Sequence, residues 1–213
     1  MPRPTGRYVE LTEKQDNYYR TSVLDSLTGD VWTYQRGAGV PGELPVARHD
    51  SPTGAAFDAM PTDPSALRAL LLTQAKQQEA QAVAEEQRMM AARGKKGVVT
   101  QPHLTDDDWV FEQATTMLWN PLVGPDLRSA LYKVLADTPG MRVDSHARDA
   151  IGRSAVEISR YDRATGVDDQ TFESPSTGAV LETAFVYRNG TTGTDLYTSV
   201  TSSDTLPPNP YRG

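Results

Sequence analysis

Apolar positions along this chain change their spacing twice. From residue 7 to residue 35 they alternate with polar ones: Val9 and Leu11 in a first run, then Tyr18 to Leu27 and Val31 to Gln35 around Thr28-Gly29-Asp30. Alternation of this kind marks half-buried strands, and a short Gly-containing break between two such runs marks a hairpin. From Met60 to Gly140 the spacing becomes helical. From Met141 to Thr201 it returns to alternation, with turn signals at Arg148 to Arg153, Pro175-Ser176-Thr177-Gly178 and Asn189-Gly190. Strands, then helices, then strands, without βαβ alternation, predict an α+β fold in which helices gather beside an antiparallel sheet.

Three helices are expected in the central block. Met60-Pro61-Thr62-Asp63-Pro64 opens the first. Asp63 is the N-cap, since its carboxylate can accept from free backbone N–H groups of the first turn, and Pro64 occupies the first helical position, where no N–H is needed. Leu67, Leu70 and Leu71 share a face, and no Gly or Pro interrupts until Gly94. The second half, from Lys76 to Arg93, is mostly Gln, Glu and Ala, with strong helix propensity but little to dock on a core. It is expected to project into solvent or meet a partner. Thr105-Asp106-Asp107-Asp108 opens the second helix with a capping box, Asp108 standing three residues after Thr105. An EF-hand loop would need a glycine at its sixth position and a distant glutamate, and both are missing. Val110, Phe111, Ala114, Met117 and Leu118 form its apolar stripe. Pro121 ends it, Pro125 and Asp126 start the third helix, and Pro139-Gly140 stops that one. Residues 37–58 read as loop.

On the strand side, Leu181, Phe185 and Tyr187 are expected on one face, with Glu182 and Arg188 on the other. Leu196, Thr198 and Val200 alternate with Asp195, Tyr197 and Ser199. A strongly curved antiparallel sheet with one apolar face requires this pattern and its frequent turns.

Several cap and turn positions resemble a family of uncharacterised exported proteins of high-GC Gram-positive bacteria. The opening at 60–64 is similar to that family's Leu-Pro-Thr-Asp-Pro, with Met60 in place of Leu. Ala130 to Met141 resembles its Ala-Leu-Tyr-x-x-Leu-Ala-x-x-Pro-Gly-Val helix end. Asp149 to Arg153 resembles its Asp-x-x-Gly-Arg hairpin, and Pro175 to Gly178 its Pro-x-Thr-Gly turn. Glu173-Ser174 stand where Phe-Asp is commoner. The resemblance covers roughly residues 7–200 and implies a LolA-like or RseB-like half-barrel: a curved antiparallel sheet wrapped around about three helices. It further implies an extracytoplasmic domain held at the membrane by a segment outside these residues. On this basis, residues 1–6 are linker, 7–206 one domain, and 207–213 a Pro-rich tail. The helical block is 60–140, and 76–104 is an inserted helix extension and loop. No catalytic residues are implied.

Composition narrows the chemistry. A net charge of −7 over 213 residues argues against a nucleic-acid partner. No cysteine is present, so there is neither a disulfide framework nor a thiol nucleophile. No apolar run reaches the roughly 18 residues of a membrane span. His49, His103 and His146 show no zinc spacing. Gly152-Arg153-Ser154 begins a strand, not a nucleophile elbow. Gly94-Lys95-Lys96-Gly97 resembles a KH loop but precedes no helix, which favours a helix cap. Glu85-Glu86 and Asp168-Asp169 lie in polar stretches and read as solvated, with nothing nearby to raise a pKa for acid catalysis.

The expectation is therefore a non-catalytic binding or sensing domain without cofactor or metal. Its partner would be a protein or peptide, or alternatively a lipid acyl chain or lipoprotein held between sheet and helices. Trp32, Tyr34, Trp109, Phe111, Met117, Leu118 and Trp119 would line that cavity, although the same residues would serve equally to fill a core.

Overall fold

Two β segments of the chain share one sheet. In a computed structural model of the protein, which describes residues 4–15, 18–37, 52–93, 105–162, 165–208 and 210, they flank four helices. The strands are β1 (Tyr8–Gln15), β2 (Tyr18–Asp25), β3 (Val31–Gly37), β4 (Met141–Asp144), β5 (Val156–Asp162), β6 (Val167–Glu173), β7 (Val180–Tyr187) and β8 (Thr192–Ser203). The helices are α1 (Gly54–Asp58), α2 (Pro64–Ala92), α3 (Asp106–Trp119) and α4 (Pro125–Ala136). Among the described residues the eight strands form one antiparallel sheet in the order β3-β2-β1-β8-β7-β6-β5-β4. The sheet is curved and unclosed, as a half-barrel is. The α+β expectation holds.

The hairpins are local, and one long strand joins the two segments. β8 pairs with β7 from Thr192 to Leu196 and with β1 from Asp195 to Ser203, so it passes from one neighbour to the other along its length. Where it leaves β7, the freed carbonyls of Leu181 and Tyr197 accept from the Arg153 guanidinium at 2.9 and 3.2 Å. Arg153 is itself held by Asp149, a carboxylate with no exposed side-chain surface that also accepts from the backbone N–H of Arg153 at 2.8 Å. The Asp149–Arg153 turn, closed by Gly152 at φ 83°, thus plugs the point where the ladder divides.

Each helix is set by the residues that cap it. Asp63 accepts from the Ala66 N–H at 2.9 Å, as expected of an N-cap. Thr105 and Asp108 form a complete capping box, each side chain accepting from the other's backbone N–H, at 3.2 and 2.6 Å. α1 corrects the reading of 37–58 as loop. Thr53 caps it, accepting from Ala56 N–H at 3.2 Å, and its one large apolar side chain, Phe57, is buried. A five-residue helix is too short to show a period.

One core cluster holds the helices together: Leu67 and Leu71 of α2, Val110, Ala114 and Leu118 of α3, and Leu127, Leu131 and Leu135 of α4, with Phe57, Leu122 and Val123. From the sheet it takes Val9 and Leu24, with Val31, Met141 and Val200 packed against it. α2 follows its expected extent, and no residue from Lys76 to Ala92 is buried. Its outer half contacts α3 through Gln78, which accepts from Gln113 at 3.1 Å, and through the ion pair of Lys76 with Asp106 at 3.0 Å. At the sheet's open end, Gly6 lies so close to β8 that a Cβ there would sit 2.8 Å from the Ser203 carbonyl oxygen.

Arg153→Met is expected to lower stability by about 3–5 kcal/mol, because it leaves the Asp149 carboxylate buried without its cation. Urea unfolding followed by far-UV circular dichroism measures this. Arg153→Met with Asp149→Asn is expected to recover part of the loss.

Candidate binding cleft

The face of the sheet turned toward the helices follows from strand register. Val9 pairs with Leu24 and Leu24 with Val31, and all three touch the helical core or the cleft beside it. Leu11 and Ser22 therefore face inward too. On the other half, Val156, Ile158 and Arg160 of β5 face inward with Asp169 and Thr171 of β6 and Thr183 and Phe185 of β7. The inner face is thus apolar under β1–β3 and polar under β5–β7.

Two β-bulges decide which side chains enter this face. Thr12 pairs with Ser199 but Glu13 with Tyr197, leaving Thr198 as the extra residue. The shift separates Leu196 from Val200: Leu196 turns outward beside Glu182, and Tyr197 turns inward beside Glu13. The second bulge, opposite Phe172 and Glu173, leaves Leu181 unpaired and sends it to a small outer cluster with Ala155, Phe172 and Ala184. Leu181 and Phe185 therefore do not share a face. Glu182 is not on a wet face: it is buried and accepts from the Ala150 N–H at 2.6 Å.

α3 lies over the inner face with two stripes at helical spacing. Val110, Ala114 and Leu118 enter the helical core, while Phe111, Thr115 and Trp119 face the sheet. Trp119 divides the space beneath. On one side is a cavity of about 220 Å³ lined by Val9, Leu11, Ser22, Leu24 and Val31 with Thr116, Asn120 and Pro121. On the other is a second cavity of about 220 Å³ lined by Phe111, Glu112, Thr115, Thr116, Asp169, Gln170, Thr171 and Phe185. Trp119 and Thr116 line both, so the two chambers form one divided cleft. The indole Nε1–H of Trp119 is buried and has no acceptor among the described residues.

The seven expected lining residues are therefore not brought together. Trp119 lines the cleft, Phe111 lines it while belonging to the buried core with Leu118, and Met117 packs against that core and faces a groove on the far side of α3 with Phe57, Met60, Gln74, Gln78 and Gln113. Trp109 is half-buried and lines neither chamber. Trp32 and Tyr34 lie on the outer face, where Trp32 meets Tyr8 edge-on with ring centroids 6.0 Å apart. Their alternation was correct; its phase relative to the helices was not available without the register.

Charge in the polar chamber is organised by Arg160. Its guanidinium pairs with Asp108, donates to the Pro139 carbonyl at 3.2 Å and lies 5.9 Å from the Phe111 ring centroid. Burial raises the Asp108 pKa, but hydrogen bonds from Thr105 and the Arg160 guanidinium outweigh it and hold the carboxyl below its usual range. Asp169 moves the other way. Burial, then the neighbouring Asp162 and Asp168, push it up to about 6 against the pull of Arg160. Asp168-Asp169 is thus not a solvated pair: Asp168 is held by Arg142, and Asp169 lines the chamber. Glu112 at the rim is also raised, by burial first and then by Asp169. Glu85, by contrast, is exposed and pairs with Arg88 at 2.9 Å.

A second buried group escaped the sequence reading. Arg128 of α4 donates to the Leu118 carbonyl at 2.9 Å and the Gly178 carbonyl at 3.3 Å, closing the end of α3 onto the β6–β7 turn. Beside it Tyr132 donates to Glu173, whose buried Oε1 has no partner among the described residues. Burial pushes Glu173 up to about 7 despite the Tyr132 hydrogen bond and the Arg128 charge. An arginine and a tyrosine on a helix otherwise read as solvated side chains, and no local signal marks them.

Among the described residues no three potential ligands converge as a metal site, and no helix is long and apolar enough to cross a membrane. His146 is exposed; His49, His103 and the Gly-Lys-Lys-Gly stretch at 94–97 lie outside the described residues. No family model, curated protein or solved structure matches the chain.

Because the folded-state pKa of Glu173 is raised, its contribution to stability is fully present below the unfolded value near 4.5 and is lost as pH rises through about 7. Glu173→Gln is expected to flatten this part of the pH–stability curve. It should gain on the order of 2 kcal/mol relative to the parent at pH 8 and little at pH 4.5. Chemical denaturation at a series of pH values checks it.

Proposed function

We propose that the chain is a non-catalytic binding domain whose ligand enters the divided cleft between α3 and the inner face of the sheet. The observation that carries this reading is Trp119: a half-buried indole with an unsatisfied buried N–H, forming the wall between two adjoining cavities. Buried donors are normally satisfied, so an indole N–H with no partner among the described residues, on a side chain that lines both cavities, can take an acceptor from a ligand. The partner we favour is a protein or peptide, because two small chambers of opposite character suit successive side chains. The exposed half of α2, from Lys76 to Ala92, offers the same partner a second contact surface. An extracytoplasmic, membrane-held setting and membership of the LolA-like half-barrels are supported by the sequence resemblance alone.

One observation favours a lipid or lipoprotein carrier as the second reading: the chamber at Val9, Leu11, Leu24 and Val31 is largely apolar. Against it, each chamber lies below the roughly 300–1,000 Å³ of ordinary small-molecule sites, and the second is lined by carboxylates.

Fragment screening by NMR tests the cleft. Binders are expected to shift the Trp119 indole resonance and to lose about tenfold in affinity with Trp119→Ala; binders that leave Trp119 unmoved would contradict it. Native mass spectrometry separates the two readings: a mass free of acyl species is expected, and co-purifying acyl chains would favour the carrier. Deleting residues 76–96 is expected to weaken partner capture while leaving fragment binding intact; capture at full strength would remove α2 from the interface.

A further inference from the structure

The second chamber holds two carboxylates that no described side chain pairs with directly. Glu112 of α3 and Asp169 of β6 line it together, and among the described residues neither carboxylate makes a hydrogen bond or ion pair. The nearby cations are engaged elsewhere, Arg160 with Asp108 and Arg142 with Asp168. Asp169 is half-buried and Glu112 more exposed at the rim; desolvation first, then Asp162 and Asp168 for Asp169 and Asp169 for Glu112, raises the pKa of both.

The remaining walls select the kind of cation. Phe111, Trp119 and Phe185 line the chamber, the Phe111 ring already meeting the Arg160 guanidinium, and aromatic rings attract organic cations through the ring quadrupole. Thr115, Thr116, Gln170 and Thr171 add neutral oxygens beside these rings, but among the described residues no three acidic or histidine side chains converge to hold a metal ion. Beyond Trp119 the space turns apolar at Leu11, Leu24 and Val31. The net charge of −7 steers basic partners toward the molecule.

We propose that the cleft receives an organic cation with an apolar neighbour, presented as a lysine or arginine beside an aliphatic residue in a peptide segment. The ammonium or guanidinium lies between Glu112 and Asp169, and the aliphatic group occupies the chamber at Leu11, Leu24 and Val31. This rests on the cleft proposed above and adds the chemistry of its occupant.

Three probes test it on the intact protein, with the Trp119 indole resonance, assigned through Trp119→Phe, as the readout. They are acetyl-Leu-Lys-Leu-amide, the same peptide with the lysine ε-amine acetylated, and 4-phenylbutylamine. The lysine peptide is expected to shift the Trp119 resonance and to bind about tenfold more tightly than its acetylated form. Asp169→Asn and Glu112→Gln should each remove most of that difference without weakening the acetylated peptide. The difference should also shrink at pH 5, since Asp169, with a pKa of about 6 and facing Glu112, Asp162, Asp168 and Arg160, is then protonated while lysine stays charged. Equal binding of the two peptides would overturn the cation assignment and leave the cleft standing. Binding of 4-phenylbutylamine alone would keep the cation and overturn the peptide source. No shift with any probe would overturn the cleft and the cation together.

Discussion

The ion pair between Asp108 and Arg160 fixes helix to sheet. Each side chain is 12% exposed, and Asp108 also accepts from the N–H and hydroxyl of Thr105 to close the capping box of α3. One carboxylate therefore starts a helix and anchors it to β5. Arg160 reaches further, donating to the Pro139 carbonyl after α4 and lying against the Phe111 ring. Removing either partner would leave a buried charge uncompensated, at a cost of about 3–5 kcal/mol. With α3 held at this end by Asp108 and at the other by Arg128 at the Leu118 carbonyl, the Phe111–Thr115–Trp119 stripe has one place to lie.

That placement divides the inner face of the sheet. Helical leucines reach Val9 and Leu24 and leave an apolar chamber beside them, while β6 and β7 present Asp169, Thr171 and Phe185 to the space beneath Trp119. A packed core would bring such a face into contact with a complementary surface. Here the contact is incomplete, and what remains open carries two carboxylates and an indole N–H that have no partner among the described residues. The same guanidinium that anchors α3 is therefore engaged where it could otherwise have neutralised Asp169.

Local signals carried the architecture. Asp63-Pro64 marked the start of α2 and the Thr105–Asp108 pair that of α3, because capping chemistry acts within a few residues of chain, while α4 ends at Ala136 with Asp137 as its cap, ahead of Pro139-Gly140. Long-range register did not show. Leu196-x-Thr198-x-Val200 reads as one face, yet the bulge opposite Thr12 and Glu13 splits it, since that bulge depends on pairing with a strand nearly two hundred residues away in sequence. The same blindness put Trp32 and Tyr34 in a cavity they do not face, and took Glu182 and Asp169 for solvated residues. Alternation gives the period of a strand, but only pairing gives its phase.

Everything about the cleft follows from α3 lying across the inner face with Trp119 between its two chambers. Side-chain NOEs from the Trp119 ring measure that directly. If the helix is so placed, the indole shows contacts to Leu11 methyls on one side and to Thr171 or Phe185 on the other. Contacts confined to one side, or to neither, would mean that the wall between the chambers does not exist.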